Sequence, residues 1–330
     1  MNVLITGGAG FIGSHLSDRC LAEGWRVSVL DNLSTGVLEN VHHLVGHPHF
    51  SFVHDSIFHE ARVDGLVEHA DLVFHLAAAV GVKLILEKPV QAMETNLRGT
   101  EVVLRCAARR RKPLVFTSTS EVYGKSTRLP FREDDDLVLG PSHVARWNYA
   151  NSKAMDERMA LSYCREGGLP VVVVRLFNTV GPRQRDTHGM VLPTFVRQAL
   201  REEPITVHGT GEQRRCFGYV NEVVEALVRV ARTPRAVGQV INIGNDQEIS
   251  VNGLADVVKQ ITGSRSPVVH LSYDQAYGPG FEDMPRRVPS LEKLESLVHF
   301  RPTTPLETIV RRVVIHEWAK MPQHAMAAAV

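Results

Sequence analysis

The chain has 330 residues, with 37 Lys and Arg against 36 Asp and Glu, 44% hydrophobic residues and a mean hydropathy of −0.08. That length buries a substantial core, as one large domain or two intimately joined ones. The balanced charge leaves no nucleic-acid or anionic-membrane footprint, and no apolar stretch approaches the ~20 residues that span a bilayer.

The first predicted element is Asn2-Val-Leu-Ile-Thr6, a short apolar run that reads as a buried parallel strand. It runs into Gly7-Gly8-Ala9-Gly10-Phe11-Ile12-Gly13, which carries G-x-G-x-x-G at Gly8, Gly10 and Gly13. A helix pattern over 11–23 follows, with Phe11, Ile12, Leu16, Cys20 and Leu21 on one side. Strand, glycine turn and helix start are the context a dinucleotide site requires. Glycines let the backbone approach a pyrophosphate, and the unpaired N–H groups of the helix start bind its oxygens. The next apolar run, Arg26-Val-Ser-Val-Leu30, ends in Asp31. An acid there accepts hydrogen bonds from a ribose 2′-hydroxyl and repels a 2′-phosphate, which favours NAD over NADP.

Further strands are predicted at 50–54, 71–76, 113–117 and 170–176, with helices near 59–69, 88–109 and 148–167 between them. This alternation predicts an α/β fold, a Rossmann-like doubly wound parallel sheet with helices on both faces. Ligands of such sheets sit beyond the carboxyl ends of the strands. The informative loops follow strand ends: Gly7–Gly13, Asp31, Asp55, Ala77–Ala79, Ser118–Glu121 and Phe177–Val180. After residue 180 the pattern loosens. Helices near 190–202, 220–232, 250–262 and 305–319 alternate with short strands at 205–208, 239–243 and 268–271, and Gly and Pro cluster at 278–289. The expected division is a dinucleotide domain over 1–176, to which the strand and helix around 218–262 return. A smaller C-terminal α/β domain over 177–217 and 263–330 then selects substrate. The Ala327-Ala-Ala-Val330 tail is expected to fray.

Arg109-Arg110-Arg111-Lys112, the basic cluster at the end of a predicted helix, reads as a solvated helix end. The four cysteines, Cys20, Cys106, Cys164 and Cys216, have no C-x-x-C spacing, and three fall in helical patterns. They read as reduced core thiols of a cytoplasmic protein, with no metal site. Met1 leads directly into the first strand, so no signal peptide is expected.

The chemistry is carried by Tyr149-Ala-Asn-Ser-Lys153, downstream of Thr117-Ser-Thr-Ser-Glu121. A Tyr and a Lys four apart on a helix share one face. The ammonium beside the phenol is expected to favour phenolate and lower the Tyr pKa from roughly 10. Thr119 can share the proton being removed. Such a set takes a proton from a sugar or alcohol hydroxyl while a nicotinamide takes the hydride.

Together these residues resemble the extended short-chain dehydrogenase/reductase family that modifies nucleotide sugars, also called the NAD-dependent epimerase/dehydratase family. The resemblance covers nearly the whole chain. Its carriers include Thr6–Gly13, Asp31-Asn32, His75-Leu-Ala-Ala78, Thr119–Gly124, Tyr149-x-x-x-Lys153, Arg175–Arg183, Arg214-Arg-Cys-Phe217 and Ile241–Asn245. It implies NAD contacts at Gly7, Gly10, Phe11, Ile12, Gly13, Asp31, Asn32, Asp55, Ser56, Leu76, Ala77, Ala78, Tyr149 and Lys153. It implies sugar-nucleotide contacts at Ser120, Asn178, Arg183, Arg215 and Arg287, and a homodimer formed through the helices near 88–109 and 148–167. Glu121 and the segment Tyr277–Ser290, with Arg287, are closest to the UDP-glucuronic acid decarboxylases. Val80-Gly-Val-Lys83 departs from their usual small-residue–Ser/Thr–Pro turn. The resemblance implies catalytic roles for Thr119, Glu121, Tyr149, Lys153 and Arg287, and oxidation of UDP-glucuronate at C4 followed by CO2 loss to a UDP-pentose or 4-keto pentose. A C4 epimerase, a 4,6-dehydratase and, last, a non-catalytic NAD sensor remain alternatives.

Overall fold

The computed structural model describes residues 1–186, 189–278 and 280–321. Pro279, within the Gly/Pro cluster, and the Ala327–Val330 tail lie outside the described residues.

Six strands alternate with helices: β1 (Asn2–Thr6), β2 (Arg26–Asp31), β3 (Phe50–His54), β4 (Leu72–His75), β5 (Leu114–Thr119) and β6 (Val171–Leu176). The helices are α1 (Phe11–Ala22), α2 (Glu60–His69), α3 (Val82–Glu87), α4 (Pro89–Arg110) and α5 (Asn148–Gly167). With the strand Val240–Ile243 on the outer edge of β6, they form a seven-stranded parallel sheet ordered (Val240–Ile243)-β6-β5-β4-β1-β2-β3. The central strands are mostly apolar because both faces are covered, whereas the edge strand β3 carries exposed Ser51 and His54. Val3 and Ile5 of β1 join the core on one face, while Leu4 joins the core on the other. Val172 and Val174 of β6 divide from Val171 and Val173 in the same way. Each such side chain contributes about 1.5–3 kcal/mol by leaving water. The first face carries α1 and the helix Val220–Ala231; the second carries α2, α4 and α5.

The order reverses between β1 and β4, the switch point where loops diverge and leave a crevice. Beyond β6, short elements build the other wall. The strands Glu248–Ser250, Arg214–Cys216 and Arg286–Arg287 form one small sheet, and Ile205–His208 pairs with Val268–Leu271 in another.

Three features differ from the sequence reading. α3 is an extra helix of one and a half turns, too short to show a period. The strands at 214–216, 248–250 and 286–287 are likewise too short for an alternation pattern. The basic run stays a solvated helix end, with Arg109 and Arg111 exposed, but it also makes cross-helix ion pairs that the sequence reading did not include. Arg109 reaches Glu60 (2.9 Å), and Arg110 reaches Asp64 (2.8 Å) and Glu68 (2.7 Å), so the cations tie α4 to α2.

Candidate active site

The crevice floor is built by backbones in contact. Gly7 holds φ +72°, and a Cβ there would lie 2.7 Å from the Ala77 nitrogen. One on Gly13 would lie 2.3 Å from the Gly7 carbonyl oxygen. Only glycine lets the turn close this tightly onto α1. Gly10 is the N-cap of α1 and supplies no side-chain cap, so the N–H groups of the first turn are free for an anion. Asp31 accepts Ala9 N–H at 2.9 Å on one oxygen and Leu33 N–H at 2.8 Å on the other. Each oxygen keeps a lone pair for a ribose hydroxyl. Burial pushes this carboxyl upward, against the pull of the two N–H donors. Asn32 accepts the Ser34 N–H (3.1 Å), and Asp55 accepts the Ser56 N–H (2.7 Å). Gly turn, uncapped helix start and a buried acid at the end of β2 fit a dinucleotide.

Tyr149 stands at the first turn of α5, beside Thr119 at the end of β5. It is 8% exposed, and its hydroxyl is pushed upward by burial, then by the charges of Glu121 and Asp156. This overturns the expectation of a lowered phenol. Lys153 shares the helix face, but its ammonium lies 3.6 Å from Asp156 and 4.0 Å from the centre of the Phe116 ring. A buried ammonium needs a counter-charge, and Asp156, one turn on, supplies it. Burial lowers Lys153, while Asp156 and Glu157 oppose the shift.

The other wall carries an ionic cluster. Arg287 pairs in register with Arg215 on neighbouring strands, so both guanidinium groups face the crevice. Arg146, just before α5, reaches Glu121 at 2.5 Å and Asp283 at 3.6 Å. Arg215 reaches Asp283 at 2.7 Å, and Arg287 reaches Glu121 at 3.5 Å. Burial raises the Glu121 carboxyl, but the charges of Arg146 and then Arg287 outweigh it and hold Glu121 below its ordinary range. Arg287 is pushed down to about 10 by burial and by Arg215, and its Nε has no partner. Three cations against two carboxylates leave one positive charge unmatched. The cluster is built for one more anion.

The cradle and the cluster open on one cavity of about 600 Å³, lined by every residue to which the resemblance gives a cofactor, substrate or catalytic role except Lys153, which is buried. Ser120 is buried against it, and Asn178 donates to the Cys216 carbonyl (3.4 Å). Arg183 lines the cavity but is held by Asp18 at 2.8 Å. Val80, Gly81 and Val82, the divergent turn, also line it. Sequence reasoning missed Arg146, Asp283 and Asp156 as members of the site. Arg146 had a signal, since it lies three residues before Tyr149. Among the described residues, no group of three or more His, Cys, Asp or Glu side chains could hold a metal ion. Nor is any helix long and apolar enough to cross a membrane.

Residues 3–244 match the model of the NAD dependent epimerase/dehydratase family. The chain belongs to that family. NAD is the cofactor of that family, and the Gly7–Asp31 cradle has a form that fits it. The chain is 40% identical to the UDP-N-acetyl-alpha-D-glucosaminuronate decarboxylase of Bacillus cytotoxicus, over 94% of this chain and 96% of that one. It is 36% identical to UDP-glucuronic acid decarboxylase 1 of Xenopus tropicalis, over 98% of this chain and 73% of that one. Its fold is similar to the UDP-glucuronic acid 4-epimerase of Bacillus cereus, solved with UDP-glucuronic acid and NAD. There the TM-score is 0.88 and the identity 26%, over 97% of this chain and 100% of that one.

Proposed function

We propose that the chain decarboxylates a UDP-linked hexuronate, UDP-glucuronate or its 2-acetamido counterpart, through oxidation at C4. The observation that carries this is the Glu121–Arg146–Arg287–Asp283 cluster facing Tyr149 and Thr119 across one cavity, with one positive charge unmatched. A sugar carboxylate is the anion that suits it. NAD, when bound, supplies the hydride acceptor at C4 and the hydride that restores it.

Tyr149, with Thr119, takes the proton of the C4 hydroxyl as the ketone forms. The product is a β-keto acid. Its C5–C6 bond breaks, CO2 leaves, and the bonding electrons spread onto the C4 oxygen. The neutral hydroxyl that burial favours at Tyr149 is the form that donates a hydrogen bond to this enolate. Arg287 and Arg146 hold the carboxylate, and Glu121 controls the proton that returns to C5. Arg215 and Asn178, and Arg183 once freed from Asp18, grip the diphosphate end.

Residues 177–217 and 263–330 serve as the substrate-selecting part, and 1–176 with 218–262 as the NAD-binding part. The chain pairs with a second copy through α4 and α5, where Met155 is 56% exposed, and sedimentation velocity gives the mass that tests this. Its four free cysteines, three of them buried, suit a reducing compartment such as the cytoplasm.

The test is incubation of the purified enzyme with NAD and each of the two hexuronates, following CO2 and the sugar nucleotide by NMR and mass spectrometry. Loss of CO2 from the nucleotide sugar is the expected result. A product of unchanged mass, inverted at C4, replaces the proposal with an epimerase.

A further inference from the structure

The two acids of the ionic cluster have different surroundings. After burial, the charges that bear most on the Tyr149 phenol are Glu121 and Asp156, not Asp283. Asp283 faces the guanidinium groups instead. One of its oxygens accepts from Arg215 at 2.7 Å. The other accepts the Met284 N–H at 2.8 Å and stands 3.6 Å from Arg146. Burial raises this carboxyl, but the charges of Arg215, Arg287 and Arg146 outweigh it and hold it below its ordinary range. Asp283 is therefore an anion at neutral pH, on the cavity wall, with its side chain 18% exposed.

The segment that carries Asp283 is anchored without that charge. The Arg214 N–H donates to the Pro285 carbonyl and the Phe131 N–H to the Val288 carbonyl, both at 2.8 Å, and Arg286 pairs with Glu248 at 2.7 Å. What the charge does is electrostatic. Arg215 and Arg287 stand side by side on adjacent strands, and Arg287 is pushed down by burial and by that neighbour. Asp283 offsets one of the three positive charges; without it two, rather than one, are unmatched. Loss of CO2 moves negative charge off the sugar carboxylate and onto the C4 oxygen. Cations at the carboxylate therefore stabilise the starting acid more than the transition state. One unmatched charge orients the carboxylate, and a second holds it back.

We propose that Asp283 is a positioning residue for CO2 loss: it occupies Arg215 and shares Arg146, so that the cluster orients the sugar carboxylate without over-stabilising it. This rests on the decarboxylase reading, and adds to the groups that grip the carboxylate the one that limits the grip.

The experiment follows NADH formation in a single turnover and CO2 release side by side, with NAD and each hexuronate, for the wild type, Asp283→Asn and Glu282→Gln. Asp283→Asn keeps the shape of the side chain and loses its charge. NADH is expected to form at the wild-type rate, CO2 release to fall about tenfold, and the hexuronate KM not to rise. A merely structural residue would slow both steps together. Glu282 does not line the cavity and accepts from Trp147 Nε1 at 2.9 Å, a bond that glutamine keeps. Its variant is expected to match the wild type in both readings. CO2 release that is unchanged in Asp283→Asn, slowed together with NADH formation, or slowed equally in Glu282→Gln overturns the proposal. If Asp283→Asn does not fold, Asp283→Ser decides by the same criterion. A wild type that releases no CO2 from either hexuronate overturns the decarboxylase reading, and this proposal with it.

Discussion

Arg146→Met removes one guanidinium from the buried cluster while keeping a long apolar side chain over Trp147 and Phe281. The Arg146 side chain is 3% exposed, and its guanidinium lies 5.7 Å from the Trp147 ring and 5.9 Å from the Phe281 ring. Methionine preserves most of that packing. What it removes is the strongest partner of Glu121, and breaking a buried pair by one member costs about 3–5 kcal/mol. For a chain of this length the unfolding entropy is about 0.7 kcal/mol/K, so melting falls by about 4–7 °C. In the wild type the Glu121 carboxyl is depressed, so its contribution is present above the unfolded carboxyl pKa and is lost as pH falls through the lower folded one. In the variant, burial outweighs the remaining attraction of Arg287, and the folded pKa rises above the unfolded one. The penalty is then greatest at high pH and is relieved when the carboxyl takes a proton. The gap in melting temperature between the two proteins therefore narrows between about pH 8 and about pH 5. Scanning calorimetry across that range measures it. A gap that stays constant with pH means Arg146 acts by packing alone, and the ionic argument for Glu121 is wrong.

Tyr149→Phe removes the hydroxyl beside Thr119 and is expected to abolish NADH formation in a single turnover; turnover at the wild-type rate takes Tyr149 out of its role. Gly13→Ala places a methyl 2.3 Å from the Gly7 carbonyl oxygen, so NAD affinity measured by calorimetry falls by about fivefold or more, the scale of one to three kcal/mol of overpacking. Unchanged affinity refutes the close contact. Arg287→Ala is expected to stop CO2 release with NAD binding retained. A uniform rise in KM with kcat intact makes it a binding residue only.

The sheet and the cradle were legible because each rests on a pattern within one segment. Apolar runs of about five residues gave every strand of the main sheet, and the glycine spacing with Asp31 gave the cradle. The ionic cluster was legible only in part. Glu121 and Arg287 came from resemblance, but Arg146 and Asp283 join it through pairings between separate segments, Arg146 with Glu121 at the end of β5 and with Asp283 far along the chain. The two-residue strand Arg286–Arg287 that fixes the register against Arg215 is too short to carry a period. The Tyr149–Lys153 spacing placed both groups on one face correctly and still misjudged the phenol. Spacing carries no information about burial, nor about the Asp156 carboxylate that takes the ammonium.

The two halves of the crevice divide the chemistry along a physical line. The Tyr149 side, with the cradle, needs only a hydroxyl at the oxidised carbon, and that need is the same for an epimerase, a dehydratase and a decarboxylase. The cluster side is where those reactions part, because an epimerase must protect the β-keto acid that a decarboxylase destroys. Loss of CO2 proceeds when the carboxylate sits with its C5–C6 bond aligned to the ketone π system. Two guanidinium groups fixed by Glu121 and Asp283 impose one orientation on a carboxylate, whereas a sugar that must turn over to invert C4 needs the opposite, a loosely held ring. Arg146 bridges both acids from the turn just before α5, the helix that carries Tyr149, so on the proposed reading the carboxylate grip and the proton-accepting hydroxyl stand on one continuous segment. On that reading, a carboxylate held from the segment that carries Tyr149 favours bond cleavage over ring rotation.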